Sequence, residues 1–178
     1  HLNPDINDKN TQRHYGAFRN WPSNASGRVT NGSIPLYRAL GDSVNTIAVR
    51  LGSYTGVDTL YDYQKNILAF KYLTENDKDL GPLCLGSQSY GVTPLEEAAA
   101  YQTLNGAGVY TTPHYYTEVV DADGNIIIDM KKAVTETQAI SASTSTIMNK
   151  MLQNVVDWGT AYGMAIKAGN MPSAAKTG

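Results

Sequence analysis

Among 178 residues there is a single cysteine, Cys84. An internal disulfide is therefore excluded, and the lack of a second cysteine or a histidine at zinc-ligand spacing argues against a structural zinc site. Cys84 reads as a small core residue, since free thiols are commonly buried. Histidine is nearly as scarce: His1, His14 and His114 lie far apart and read as ordinary surface or packing residues, so no metal and no other cofactor is expected. No stretch approaches the ~18 uninterrupted apolar residues of a membrane span, and no membrane contact is expected of this segment. The opening residues, HLNPDINDKN, lack the basic-then-apolar plan of a signal peptide. Nor is there an excess of positive charge. The 14 Lys and Arg against 16 Asp and Glu give a net charge of −2, without the broad positive field of a nucleic-acid binder.

The chain is long enough for one domain with a real core, and its hydrophobic content of 42% fits a globular protein. Residues 1–33, rich in Asn, Asp, Ser, Gly and Arg without an apolar period, read as an irregular and largely exposed lead-in. Pro35 then opens a helix whose Leu36, Ala39 and Leu40 share a face before Gly41 ends it. A turn follows at GDSVN, and helical spacing resumes from Thr46 and again through Val57, Leu60, Tyr61, Gln64 and Leu68. The sharpest local signal is GVTPLEEAAAYQTLNGAG, residues 91–108. Thr93 caps, Pro94 takes the first helical position, Glu96 completes a capping box and Asn105-Gly106 closes the helix, which is expected to be mostly buried. Two β-rich runs around Asp123-Gly124 predict a hairpin. Ile147, Met148, Met151, Leu152, Val155 and Val156 form one helical stripe stopped at Gly159. The fold class expected is α+β, helices packed on an antiparallel sheet to which the terminal MPSAAKTG contributes a strand.

That terminal run contains two catalytic signatures that compete for one lysine. Ser173-Ala-Ala-Lys176 fits S-x-x-K, which brings serine and lysine together only on a helix. Lys176-Thr177-Gly178 fits K-T-G, which requires a strand. Helix propensity of Ala-Ala does not decide between them. A further triplet, Ser43-Val44-Asn45, fits S-x-N. In a loop its serine and asparagine face one pocket, whereas in a continuous helix they lie ~200° apart; the plain alternative for Asn45 is a cap on the helix beginning at Thr46.

The stretches YRALGDSVNTIAVRLG and LGSQSYGVTPLEEAAAYQTLNGAGVYTTPHYYTEVVDADGNII closely resemble the transpeptidase domain of class A penicillin-binding proteins. S-x-N, a V-T-P-L-E helix ending in Asn-Gly, a P-x-Y hairpin and K-T-G follow in the family's order over residues 35–178, and VVDWGTAYGMA is similar to its Gly-Thr segment. The resemblance implies that residues 34–178 are a partial transpeptidase domain and that 1–33 lead into it. It assigns Ser43 to proton relay toward the leaving amine and Asn45 to the substrate backbone. Lys176 becomes the cation that tunes the relay, Thr177 the hydroxyl for the substrate's terminal carboxylate, and Gly178 the position that lets substrate lie along the strand. In the family S-x-x-K precedes S-x-N, whereas Ser173 follows Ser43, so SAAK is read as a chance match and the nucleophilic serine is expected on an upstream piece outside these residues. The partners implied are a peptidoglycan stem peptide ending in D-Ala-D-Ala, β-lactam antibiotics and that missing N-terminal part, at the extracytoplasmic face of a bacterial membrane. An inactive ligand-binding or scaffold module, and a serine β-lactamase or carboxypeptidase, are the competing readings.

Overall fold

The computed structural model describes residues 6–7, 12–15, 17–25, 33–164 and 171–178. Its elements, in chain order, are β1 (Ile6–Asn7), β2 (Gln12–Tyr15), β3 (Ala17–Asn20), β4 (Ser33–Ile34), α1 (Leu36–Gly41), α2 (Asn45–Thr55), α3 (Val57–Asp62), α4 (Leu80–Leu85), α5 (Pro94–Asn105), β5 (Val109–Thr111), β6 (Glu118–Val120), β7 (Ile126–Asp129), β8 (Glu136–Gln138) and α6 (Ala142–Asp157). A π-helical stretch, Tyr63–Ile67, continues α3. The fold is α+β, as the sequence predicts. Its described strands form four antiparallel two-stranded ladders, β1 with β4, β2 with β3, β5 with β8 and β6 with β7. Among the described residues no helix is long and apolar enough to cross a membrane.

The chain divides into two compact units. In the first, comprising 1–61, 73–91 and 147–178, Ala39 and Ile47 are buried with Ile34, Leu36, Val44 and Leu51 packed around them. A second cluster joins Tyr61, Leu73 and Leu83. Helix α2 meets α4 closely: a Cβ added at Gly52 would collide with the Cys84 sulfur, so glycine inside α2 is a packing requirement. Cys84 is half-buried there, and burial pushes its thiol pKa up. Asp77, 1% exposed, accepts hydrogen bonds from the N–H and hydroxyl of both Thr74 and Ser89 at 2.6–2.8 Å. Burial alone would raise its pKa; the four bonds more than reverse that and bring it to about 2.

The lead-in departs from the irregular, exposed segment expected. It holds the short ladders of β1, β2 and β3, and after them Pro22 and Asn24 are buried. The cause is a long-range cap. Asn24 Oδ1 accepts the main-chain N–H of the fully buried Thr46 at 3.1 Å, a donor in the first turn of α2, where the helix itself offers no acceptor.

Helix α1 ends in a Schellman motif. Val44 N–H reaches Ala39 O at 2.9 Å and Ser43 N–H reaches Leu40 O at 3.1 Å, while Val44 packs on the cluster that contains Ala39. The left-handed position of this motif usually belongs to glycine; here Ser43 holds it with φ of +55°. Residues 42–44 thus form the turn expected between two helices.

In the second unit, 62–72 and 92–146, α5 begins as the sequence predicts. Thr93 Oγ1 accepts Glu96 N–H at 3.2 Å, and Glu96 Oε2 accepts the Thr93 N–H and hydroxyl at 2.8 and 2.7 Å. Glu96 Oε1 takes Lys71 N–H at 2.9 Å. Burial raises the Glu96 pKa, but these bonds and the Lys71 charge outweigh it, leaving the carboxyl below its ordinary value. The helix is less buried than expected: Glu96, Ala99 and Thr103 are its buried residues, because its run of small and acidic residues presents only a narrow covered stripe. The hairpin β6–β7 turns through Gly124 at φ of +86°, with Asp121 Oδ1 accepting the N–H groups of Asp123 and Asn125.

Two outcomes follow. Ser43→Gly should melt at a higher temperature than Ser43→Ala, by the equivalent of about 1 kcal/mol, because both lose the hydroxyl but only glycine relieves the left-handed backbone; equal melting temperatures would contradict the turn. Thr93→Ala should cost about 1 kcal/mol in denaturant unfolding through loss of the cap, with no cost if the capping box is idle.

Candidate active site

The turn at Ser43 points its hydroxyl at the C-terminal segment. Lys176 Nζ donates to Ser43 Oγ at 2.6 Å, across 133 residues of sequence, and also to the Thr177 carbonyl at 2.6 Å. The ammonium is partly buried, and loss of hydration lowers its pKa from the ordinary lysine value. With the lysine as donor, the serine's own proton is free to be given to a third group. A hydroxyl bonded to a desolvated cation of lowered pKa is equipped to pass a proton in either direction.

Asn45 is the first residue of α2 rather than its cap: the position before the helix is Val44, which contributes no side-chain bond. The Asn45 amide donates to the Ser23 carbonyl at 2.9 Å. The structure therefore brings Ser43 and Lys176 together, whereas among the described residues the partner of Asn45 is Ser23. The Ser23–Asn24 pair grips the start of α2 twice, through the Asn45 amide and the Thr46 N–H.

Residues 171–178 are neither helical nor part of a ladder among the described residues. The strand expected for K-T-G is thus not formed here, because a strand needs a main-chain partner and Ala175 N–H reaches instead the Leu152 carbonyl on α6 at 3.4 Å. Without a helix, Ser173 and Lys176 do not share the helical turn that S-x-x-K requires, and the Lys176 ammonium is engaged by Ser43 and Thr177. Thr177 Oγ1 lies 2.6 Å from Thr160 Oγ1. Gly178 is exposed, and a Cβ there would meet nothing within 4 Å.

Helix α6 supplies the wall behind this group. Its Met151, Leu152, Val155 and Val156 are buried, which bears out the C-terminal part of the apolar stripe. Beyond it Trp158 meets Tyr37 edge-on with ring centroids 6.3 Å apart, and the Arg38 guanidinium lies 4.7 Å from the Trp158 ring centre. Gly159 then approaches the Gly41 carbonyl so closely that any Cβ would overlap it, and Thr160 N–H donates to that carbonyl at 3.0 Å. Ser23, Asn24, Gly41 and Thr160 were not singled out from the sequence as site residues. Their partners lie 17 to more than 100 positions away, and no local period reports such contacts; only the Gly-Thr segment carried a hint. Among the described residues no group of three His, Cys, Asp or Glu is placed to hold a metal ion.

Residues 2–178 match the family model described as the penicillin binding protein transpeptidase domain. Penicillin-binding protein 1A of Clostridium novyi is 35% identical over 162 residues, covering 89% of this chain and 18% of that protein. The chain spans about a fifth of the length of the curated relatives it matches. Among solved structures, the D,D-transpeptidase domain of a peptidoglycan glycosyltransferase from Eggerthella lenta superposes with a TM-score of 0.70 at 21% identity, over 98% of this chain and 47% of that one. The ceftriaxone acyl-enzyme of penicillin-binding protein A from M. tuberculosis gives 0.72 at 18% identity, over 100% and 42%. With its S-x-N turn joined to its K-T-G lysine, and relatives named penicillin-binding protein 1A, the chain belongs to the penicillin-binding protein transpeptidase domain family, in its class A form.

Proposed function

We propose that this chain forms the S-x-N to K-T-G portion of a serine D,D-transpeptidase that cross-links peptidoglycan. The observation that carries the proposal is the 2.6 Å hydrogen bond from Lys176 to Ser43. The nucleophile is a serine outside these residues, since no S-x-x-K precedes Ser43 in the chain. That serine attacks the carbonyl of the D-Ala-D-Ala bond; the C–N bond breaks, and the departing D-alanine amine must gain a proton. The attacking serine loses its hydroxyl proton as it forms the new C–O bond; Ser43 passes its own hydroxyl proton to the amine and takes up the one released, while the Lys176 ammonium stabilises the relay oxygen in transit. In the second step the acyl group passes to the amine of a neighbouring stem peptide, and the relay runs in reverse. Asn45 holds the substrate main chain, Thr177 receives the terminal carboxylate, and the open space at Gly178 admits substrate beside the segment as an added strand. β-Lactams, which carry a carboxylate beside a strained amide, acylate the same serine. The site of action is the extracytoplasmic face of a bacterial membrane, where such a substrate lies.

This reading supports a specific contrast. The isolated chain incubated with a fluorescent penicillin should show no covalent adduct by mass spectrometry, while the longer polypeptide carrying the upstream S-x-x-K should label, and Lys176→Ala in it should slow acylation. A stable adduct on Ser173 of the isolated chain, or unchanged acylation in the Lys176 variant, would contradict the assignment.

A further inference from the structure

Thr160 has no task in the mechanism above, yet its placement is fixed from several sides. Its N–H is tied to the Gly41 carbonyl at 3.0 Å, two residues before Ser43. Gly159 before it is pressed against that same carbonyl. Ala161 after it is buried, with its N–H on the Val155 carbonyl at 3.0 Å. A β-branched side chain on so constrained a main chain has few rotamers to choose from, and the one adopted puts its Oγ1 2.6 Å from Thr177 Oγ1.

Two hydroxyls in contact hold two protons, and only one of those protons lies between the oxygens. A carboxylate is an acceptor only, so when Thr177 binds one, its proton points to the ligand. The proton between the two threonines must then come from Thr160. We propose that Thr160 is a positioning residue for Thr177: it fixes the Thr177 rotamer and, by donating to its oxygen, directs the Thr177 proton to the ligand carboxylate. Donation also polarises the Thr177 hydroxyl and strengthens the bond it gives. Thr160 thereby selects for ligands that end in a carboxylate, and through its N–H it couples that selection to the turn bearing Ser43. The inference rests on the assignment of Thr177 to the substrate carboxylate.

The test is made in the longer transpeptidase, with benzylpenicillin and its methyl ester as paired ligands. The apparent dissociation constant of the first encounter is separated from the limiting acylation rate. Thr160→Val keeps the shape and the main-chain bond to Gly41 but removes the hydroxyl. It should weaken benzylpenicillin roughly three- to tenfold, the worth of one ordinary hydrogen bond, and leave both the ester's affinity and the limiting rate unchanged; Thr160→Ser should restore the loss. Equal effects on acid and ester, no effect on either, or no rescue by serine would overturn the inference. If Thr177→Val shifts the acid-to-ester ratio while Thr160→Val does not, the carboxylate assignment stands and the role of Thr160 falls. If Thr177→Val leaves the ratio unchanged, the carboxylate assignment itself falls. Should the valine variant fail to fold, Thr160→Ala takes its place with the same expected split.

Discussion

A serine held in the left-handed region of backbone space is the constraint on which the site depends. The Schellman motif at the end of α1 needs that conformation, and a residue with a Cβ adopts it at a cost of roughly 1–2 kcal/mol. Glycine at position 43 would remove the cost and with it the hydroxyl. Ser43, at φ of +55° and in contact with Lys176, combines the strained backbone with the hydroxyl that the proposed relay needs. The turn is held by its two main-chain bonds, by Val44 seated in the cluster of Ala39 and Ile47, and by the grip of Ser23 and Asn24 on the first residues of α2.

The other half of the site is held from α6. Its buried stripe fixes the helix, Trp158 locks onto Tyr37 and Arg38 of α1, and the Gly41–Gly159 contact brings two main chains together with no side chain between them. This approach leads directly to Thr160 and so to Thr177, and Ala175 is tied to Leu152 on the same helix. Lys176 is therefore flanked by Ala175, tied to α6, and Thr177, tied to Thr160 in the turn that follows α6, and its ammonium is turned toward the end of α1 in a place with reduced access to water. Partial desolvation is what lowers its pKa, and the same desolvation gives its bond to Ser43 more weight than a surface contact carries.

Interactions between near neighbours were legible in the sequence. The Thr93–Glu96 capping box, the break between α1 and α2, the hairpin around Asp123-Gly124 and the stripe of α6 each depend on residues a few positions apart. The ordered motifs also led to the family and to the pairing of Ser43 with Lys176. Long-range polar contacts were not legible. Asn24 reads as part of a polar lead-in because nothing near it announces a partner at Thr46. Helix α4 has no counterpart in the sequence reading: it is six residues long, too short to show an apolar period, and its Pro82 stands in the first turn, where its missing N–H would have had no partner in any case. The strand expected at K-T-G requires a ladder partner, which no local propensity supplies.

The pairing of Ser43 with Lys176 is tested most directly by the titration of the Lys176 side chain, followed by NMR in the chain and in Ser43→Ala. Desolvation disfavours the ammonium, so its pKa should lie below the ordinary lysine value; the hydrogen bond to Ser43 favours the ammonium, so removing the hydroxyl should lower the pKa further. A lysine titrating at its ordinary value and indifferent to Ser43→Ala would contradict the account.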